Sequence, residues 1–208
     1  MKNATKHAEA LKSLAKKLLK EHKPAPRTVI DPLRAMVVGI FSYDAPDDAV
    51  AEAMKALDGE YCDLNELRVA TELEVQDILG VKYPHVDEKT SLMKTVLGHI
   101  FEKEAVLNLE RLKTLKKNEL RQFYREIPDV PPFVEAYTMM FGYDQPAFPI
   151  DPLTLDWLKE HGAVEPDSTL EEAQKFVEST LKGEDCYEFY AAIRLAWPFE
   201  ELKKKKKK

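Results

Sequence analysis

The stretch from Thr114 to Gly142, followed after a short apolar linker by Ile150 to Trp157, constrains the fold more than any other part of the chain. It reads as a helix, a tight hairpin at Ile127-Pro-Asp-Val130, and a second helix opened by Pro131 and Pro132. Proline is at home at a helix start, because the N–H it lacks has no partner inside the helix there. Two helices bracketing so short a turn must pack at a fixed angle. Asp151 before Pro152 then supplies a cap and a first residue for a third helix.

Punctuation along the rest of the chain is of the same kind. Lys6 to His22 carries Ala8, Leu11, Leu14, Ala15, Leu18 and Leu19 at helical spacing, with lysines opposite and Pro24 and Pro26 beyond. Asp31 caps an apolar helix begun by Pro32, and Pro46 opens another that Gly59 is expected to stop. Asn65 to Val69 reads as a short connection. Thr71 with Glu74 forms a capping box, and Gly80 closes that helix. A long helix is predicted from Pro84 to about Lys103, with Val86, Leu92, Val96 and Ile100 facing the core and Met93 and Leu97 as further candidates for it, and a short piece spans Leu109 to Leu115. Asp167 to Glu172 caps a helix that Gly183 ends, and Tyr187 to Trp197 makes the last, stopped by Pro198. No segment alternates as a strand does, so the class is all-α.

Ile127-Pro-Asp-Val-Pro-Pro-Phe-Val-Glu-Ala136, with Pro149-Ile-Asp151 downstream, resembles the helix-hairpin-helix Gly/Pro...Asp superfamily of base-excision DNA glycosylases, typified by endonuclease III. The family hairpin reads Leu-Pro-Gly-Val-Gly, a lysine follows two places later in the strand-cleaving members, and a catalytic aspartate ends a Val-Asp or Ile-Asp step. Asp129 and Pro131 stand here at the two glycine positions, Phe133 at the lysine position, and Asp151 at the catalytic aspartate. Asp31 to Ser42 is similar to the first barrel helix, and Asp44, beside Tyr43, falls where members place a glutamine that wedges into opened duplex.

The resemblance implies a two-lobed helical fold. One lobe is a barrel over residues 43–148 that ends in the helix-hairpin-helix of 114–142; the second combines residues 1–42 and 149–202, and a groove between them holds Asp151. It implies a base pocket at Phe133, Tyr43 and Asp44, and phosphate contacts from the hairpin backbone at Val130 and Val134. Phe133 cannot form a Schiff base, so base removal without strand cleavage is the activity expected of an enzyme with this pattern. Its ring either stacks on an extruded base or packs in the core with Tyr137 and Met140. Asp151 is a helix cap, a catalytic carboxylate, or both. The alternative function is a non-catalytic protein that keeps the fold for DNA architecture or protein interaction.

Charge qualifies the DNA partner. The net charge of −6 conceals eight Lys or Arg against two Glu over residues 1–27 and six more lysines at 203–208, around a body of net charge −18. Within that body Arg111, Lys113, Lys116, Lys117, Arg121 and Arg125 crowd the approach to the hairpin, and Lys116, Lys117, Arg121 and Arg125 are the candidate phosphate contacts. Weak, sequence-independent DNA binding by a cytoplasmic monomer is expected. Cys62 and Cys186 are too few and too far apart for a zinc finger or an iron-sulfur cluster, and the five histidines have no ligand spacing, so no metal or cofactor is expected. No run reaches the ~18 apolar residues of a membrane helix.

Overall fold

The computed structural model describes residues 4–196; the lysines at 203–208 and the Trp197-Pro198 end expected for the last helix lie outside the described residues. The described chain is helical throughout, with no strand. It forms two compact units, one of residues up to Thr28 together with those from Asp144 on, the other of Val29–Tyr143.

The first unit consists of α1 (Ala4–Glu21), α9 (Pro152–Glu160), α10 (Leu170–Thr180) and α11 (Glu184–Ala196). α1 buries Leu11, Ala15 and Leu18 and packs on α11 and α10, leaving its lysines in water. The box of Thr169 and Glu172 starts α10, and Gly183, at φ 61°, turns the chain into α11. That helix begins at Glu184, earlier than Tyr187, because the turn is complete at Gly183. It buries Cys186, whose thiol donates to Leu181 O.

The second unit contains α2 (Pro32–Ser42), α3 (Asp47–Glu60), α4 (Leu64–Val69), α5 (Glu72–Leu79), α6 (Val86–Glu104), a 3-10 turn (Glu110–Thr114), α7 (Lys117–Arg125) and α8 (Pro132–Gly142). At its centre α2 lies against α8. Both helices are apolar nearly all round, and glycines let them approach. A Cβ on Gly39 would sit 3.1 Å from Tyr137 Cδ1, and one on Gly142 would sit 2.8 Å from Pro32 Cα. Met36, Val37, Ile40 and Phe41 are fully buried, each worth roughly 1.5–3 kcal/mol of burial. This packing places residues 29–42 with the hairpin, so the units divide at 28/29 and 143/144, whereas the expected boundaries were 42/43 and 148/149.

Three local expectations change. Gly59 does not stop α3, which runs on to Glu60; a Cβ there would meet nothing within 4 Å, and a glycine inside a helix weakens it by about 1 kcal/mol without breaking it. Asn65 to Val69 is helix and not a connection, because the Asp63 carboxylate accepts from the N–H groups of Asn65 and Glu66 at 2.8 and 2.9 Å. α6 starts at Val86, after His85 has turned left-handed at φ 54°, and its Leu92 is half-buried while Met93 and Leu97 fill the core.

Candidate hairpin and cavity site

The hairpin of the second unit is built as its sequence suggests. α7 ends at Arg125, the chain turns through Ile127 to Val130, and α8 begins at Pro132 with Pro131 as its cap residue. Asp129 takes φ 59°, the left-handed conformation that glycine adopts freely and that aspartate tolerates better than most residues. Pro131 and Pro132 offer no N–H, and the Val134 N–H is spent on Pro131 O at 2.9 Å. The helix start therefore presents fewer free amide donors than a glycine hairpin would.

A buried acid locks the hairpin. Glu135, 5 % exposed, lies within 3.2 Å of Nε of both Arg121 and Arg125. Burying a carboxylate is costly unless cations surround it, so this triad ties α7 to α8. It also spends two of the four basic residues expected at phosphate. Lys116 is exposed at the start of α7, where its N–H donates to Glu119 at 2.8 Å, and Lys117 is half-buried. Nearby, Arg111 grips Glu104 and Lys103 pairs with Glu126, and each cation holds its glutamate below the ordinary carboxylate range. Val130 is half-buried and Val134 buried.

Phe133 is 1 % exposed, stacked on Tyr137 at 6.1 Å and met edge-on by Tyr43 at 5.5 Å. Asp44 is left-handed at φ 45° and accepts from or pairs with His85 Nε2 at 3.0 Å, while its Oδ1 is buried without a hydrogen-bond partner. Beside these residues is a cavity of about 540 Å³ lined on one side by Ile40, Tyr43, Asp129, Pro131 and Val134, and on the other by α6 and the residue before it, with His85, Glu88, Lys89 and Leu92 among them. The site thus joins Tyr43 and Val134 of the expected residues; Phe133 lies behind Tyr43 and is not in the lining. The lining residues of α6 escaped the sequence, since helical periodicity marks core positions and is silent about a cavity wall. Glu135 did leave a signal: an acid in the apolar run Pro-Phe-Val-Glu-Ala requires a partner if that run is buried.

Asp151 belongs to the first unit. It is the cap of α9, its Oδ1 accepts from the Thr154 N–H at 2.7 Å, and it is 1 % exposed. Among the described residues no group of three or more His, Cys, Asp or Glu could hold a metal ion, and no helix is long and apolar enough to cross a membrane. Cys62 is exposed and Cys186 buried, both as free thiols.

No protein-family model matches the sequence, and no curated protein matches it. Solved structures do. The chain is similar to endonuclease III trapped as a covalent DNA intermediate, at 14 % identity and a TM-score of 0.71, over 94 % of this chain and 86 % of that one. It is similar to the 8-oxoguanine glycosylase/lyase of Clostridium acetobutylicum in complex with DNA, at 18 % identity and a TM-score of 0.71, over 94 % and 70 % of the two chains. The 3-methyladenine DNA glycosylase of H. pylori bound to 1,N6-ethenoadenine matches at 15 % identity and a TM-score of 0.67, over 96 % and 98 %.

Proposed function

We propose that this chain, which has the helix-hairpin-helix fold of the base-excision DNA glycosylases, is a DNA-binding protein that leaves the strand intact. The observation that carries this reading is the hairpin: a rigid left-handed turn at Asp129 between two helices tied together through Glu135. Binding is weak and independent of sequence. The two prolines remove amide donors, Asp129 adds a negative charge at the turn, and Arg121 and Arg125 already serve Glu135. Lys116 remains to meet phosphate, with the lysines of the chain ends. Phe133 has no amine, so the covalent route to strand cleavage is closed at that position.

The test is duplex affinity measured against salt. Affinity should fall steeply as salt rises, and Lys116→Ala should reduce the slope of log affinity against log salt by about one unit, the share of one phosphate. No binding at low salt, or an affinity indifferent to salt, would overturn the proposal.

A second reading, base excision without strand cleavage, rests on the resemblance that sets Asp151 at the family's catalytic aspartate, here a carboxylate 1 % exposed whose Oδ1 accepts from the Thr154 N–H. In that reaction the base departs with the electrons of the glycosidic bond, Asp151 stabilises the cationic sugar left behind, and water adds to the sugar carbon and gives up a proton, to the departed base or, where the base was cationic, to solvent. Asp151→Asn should then abolish release from a duplex containing an alkylated, deaminated or oxidised base while leaving thermal stability unchanged, since asparagine caps a helix as well as aspartate. Absence of release by the unaltered chain would eliminate this reading and leave DNA binding standing.

A further inference from the structure

The cations of the second unit are mostly committed within it. Arg121 and Arg125 serve Glu135, Arg111 serves Glu104, Lys103 serves Glu126, and Lys89 and Lys94 donate to backbone carbonyls. The first unit holds the exception, on α1. Lys12, Lys16, Lys17, Lys20 and Lys23 are all exposed, and none has an ion pair among the described residues. Three of them form a row: Lys12, Lys16 and Lys20 follow at four-residue steps, which sets them about 6 Å apart along the helix and within roughly 80° around it. No acid interrupts the helix between Ala10 and Lys20, and Glu9 stands just before the row.

A second observation concerns what the row costs the fold. Like charges three or four residues apart repel across a helix turn, and an acid at either spacing would relieve them. Around Lys20 those positions hold Lys16, Lys17, Lys23 and Pro24, and around Lys16 they hold Lys12, Ser13, Leu19 and Lys20, so neither lysine has an acid within reach on its own helix. The attachment of α1 uses none of them. It is held by Leu11, Ala15 and Leu18, packed toward α11 and α10, and by His7, whose Nδ1 lies 2.8 Å from Gly162 O. The lysines therefore weaken the helix that carries them, and packing does not account for their presence.

We propose that this row is a docking surface for the phosphate backbone of duplex DNA, separate from the hairpin and making more phosphate contacts than Lys116. The proposal rests on the DNA-binding reading above and gives it a surface that stands on the first unit alone. A line of unmatched ammonium groups fits a polyanion, because each phosphate it neutralises releases condensed counterions. Lysine meets phosphate as a point charge on a flexible stem, so the contact is indifferent to base sequence. The row is also preorganised, since the helix beneath it is already packed. A bilayer fits less well: the apolar face of α1 is buried in the protein and cannot enter lipid.

Duplex affinity of the full chain against salt tests this, with Lys12, Lys16 and Lys20 changed together to glutamine and, in a second variant, to arginine. The glutamine triple should lower the slope of log affinity against log salt by about three units, compared with about one for Lys116→Ala. The arginine triple should keep the slope. Melting of the glutamine triple should occur no lower than that of the unaltered chain, because two like-charge contacts are gone. If the unaltered chain binds duplex and the glutamine triple keeps its slope, the row is a bystander and DNA binding stands on the hairpin. Loss of binding together with a lowered melting temperature would make the lysines structural and overturn the proposal. Tighter binding to phosphatidylserine vesicles than to duplex at equal salt would assign the row to a membrane instead. No duplex binding by the unaltered chain at low salt would remove this proposal and the DNA reading together.

Discussion

Gly142 illustrates how much a single position can decide. The end of α8 comes so close to the start of α2 that a Cβ at 142 would meet backbone, Pro32 Cα at 2.8 Å, and backbone cannot rotate aside as a side chain can. Gly142→Ala gains up to about 1 kcal/mol of helix propensity but must push α2 and α8 apart, an overpacking cost of roughly 1–3 kcal/mol. Net destabilisation with a lower urea midpoint is expected, whereas Gly59→Ala, where nothing lies within 4 Å, should raise the midpoint. Residue-scale features that concern only near neighbours were legible in the sequence. Asp31, Thr71 with Glu74, Asp151 and Thr169 cap helices as their spacing implies, because a cap needs only the next three residues. The pairing of Asp44 with His85, 41 residues apart, and the cavity that His85 lines were not, since no periodicity encodes which surfaces the fold will bring together.

At the scale of elements, the hairpin depends on an ion triad more than on its turn sequence. Glu135 is buried, Arg121 nearly so, and Arg125 has a side chain 62 % exposed. Glu135→Ala should therefore cost about 2–4 kcal/mol in denaturant unfolding, chiefly by removing the buried ion pair that ties α7 to α8. Arg125→Ala should cost under about 1 kcal/mol, as exposed partners do. Equal losses would mean that the two arginines share the load. The turn itself was recognisable because a proline-bounded helix pair has few alternatives. The consequence of placing Glu135 opposite two arginines was not, for the sequence alone presents those arginines as free for phosphate.

For the whole molecule, acid is the informative perturbation. Glu104 and Glu126 are held below the ordinary carboxylate range by Arg111 and Lys103, and Glu74 and Glu172 by the N–H groups of Thr71 and Thr169. A depressed folded-state value means the folded chain favours the ionised form. The resulting stability is complete above the unfolded value, about 4.3 for glutamate, and disappears as pH falls through the lower folded value. The melting temperature should be level from neutrality to about pH 5 and decline below it, and Glu104→Gln should make that decline shallower. A melting temperature that rises on acidification would instead assign the governing role to repulsion within the acidic body.

The close seating of α2 on α8 also has a mechanical consequence. Ile40 comes from α2, Tyr43 from the turn after it, and Asp129, Pro131 and Val134 from the hairpin and α8. All five thus ride on a block whose helices touch through Gly39 and Gly142 without intervening side-chain slack. The opposite wall enters through Gly80 at φ 79° and the turn before His85. That wall is in turn pinned to the same block, since Tyr83 Oη and Lys89 Nζ both donate to Phe41 O at the end of α2 and His85 pairs with Asp44, so the two sides of the cavity are held at a fixed width.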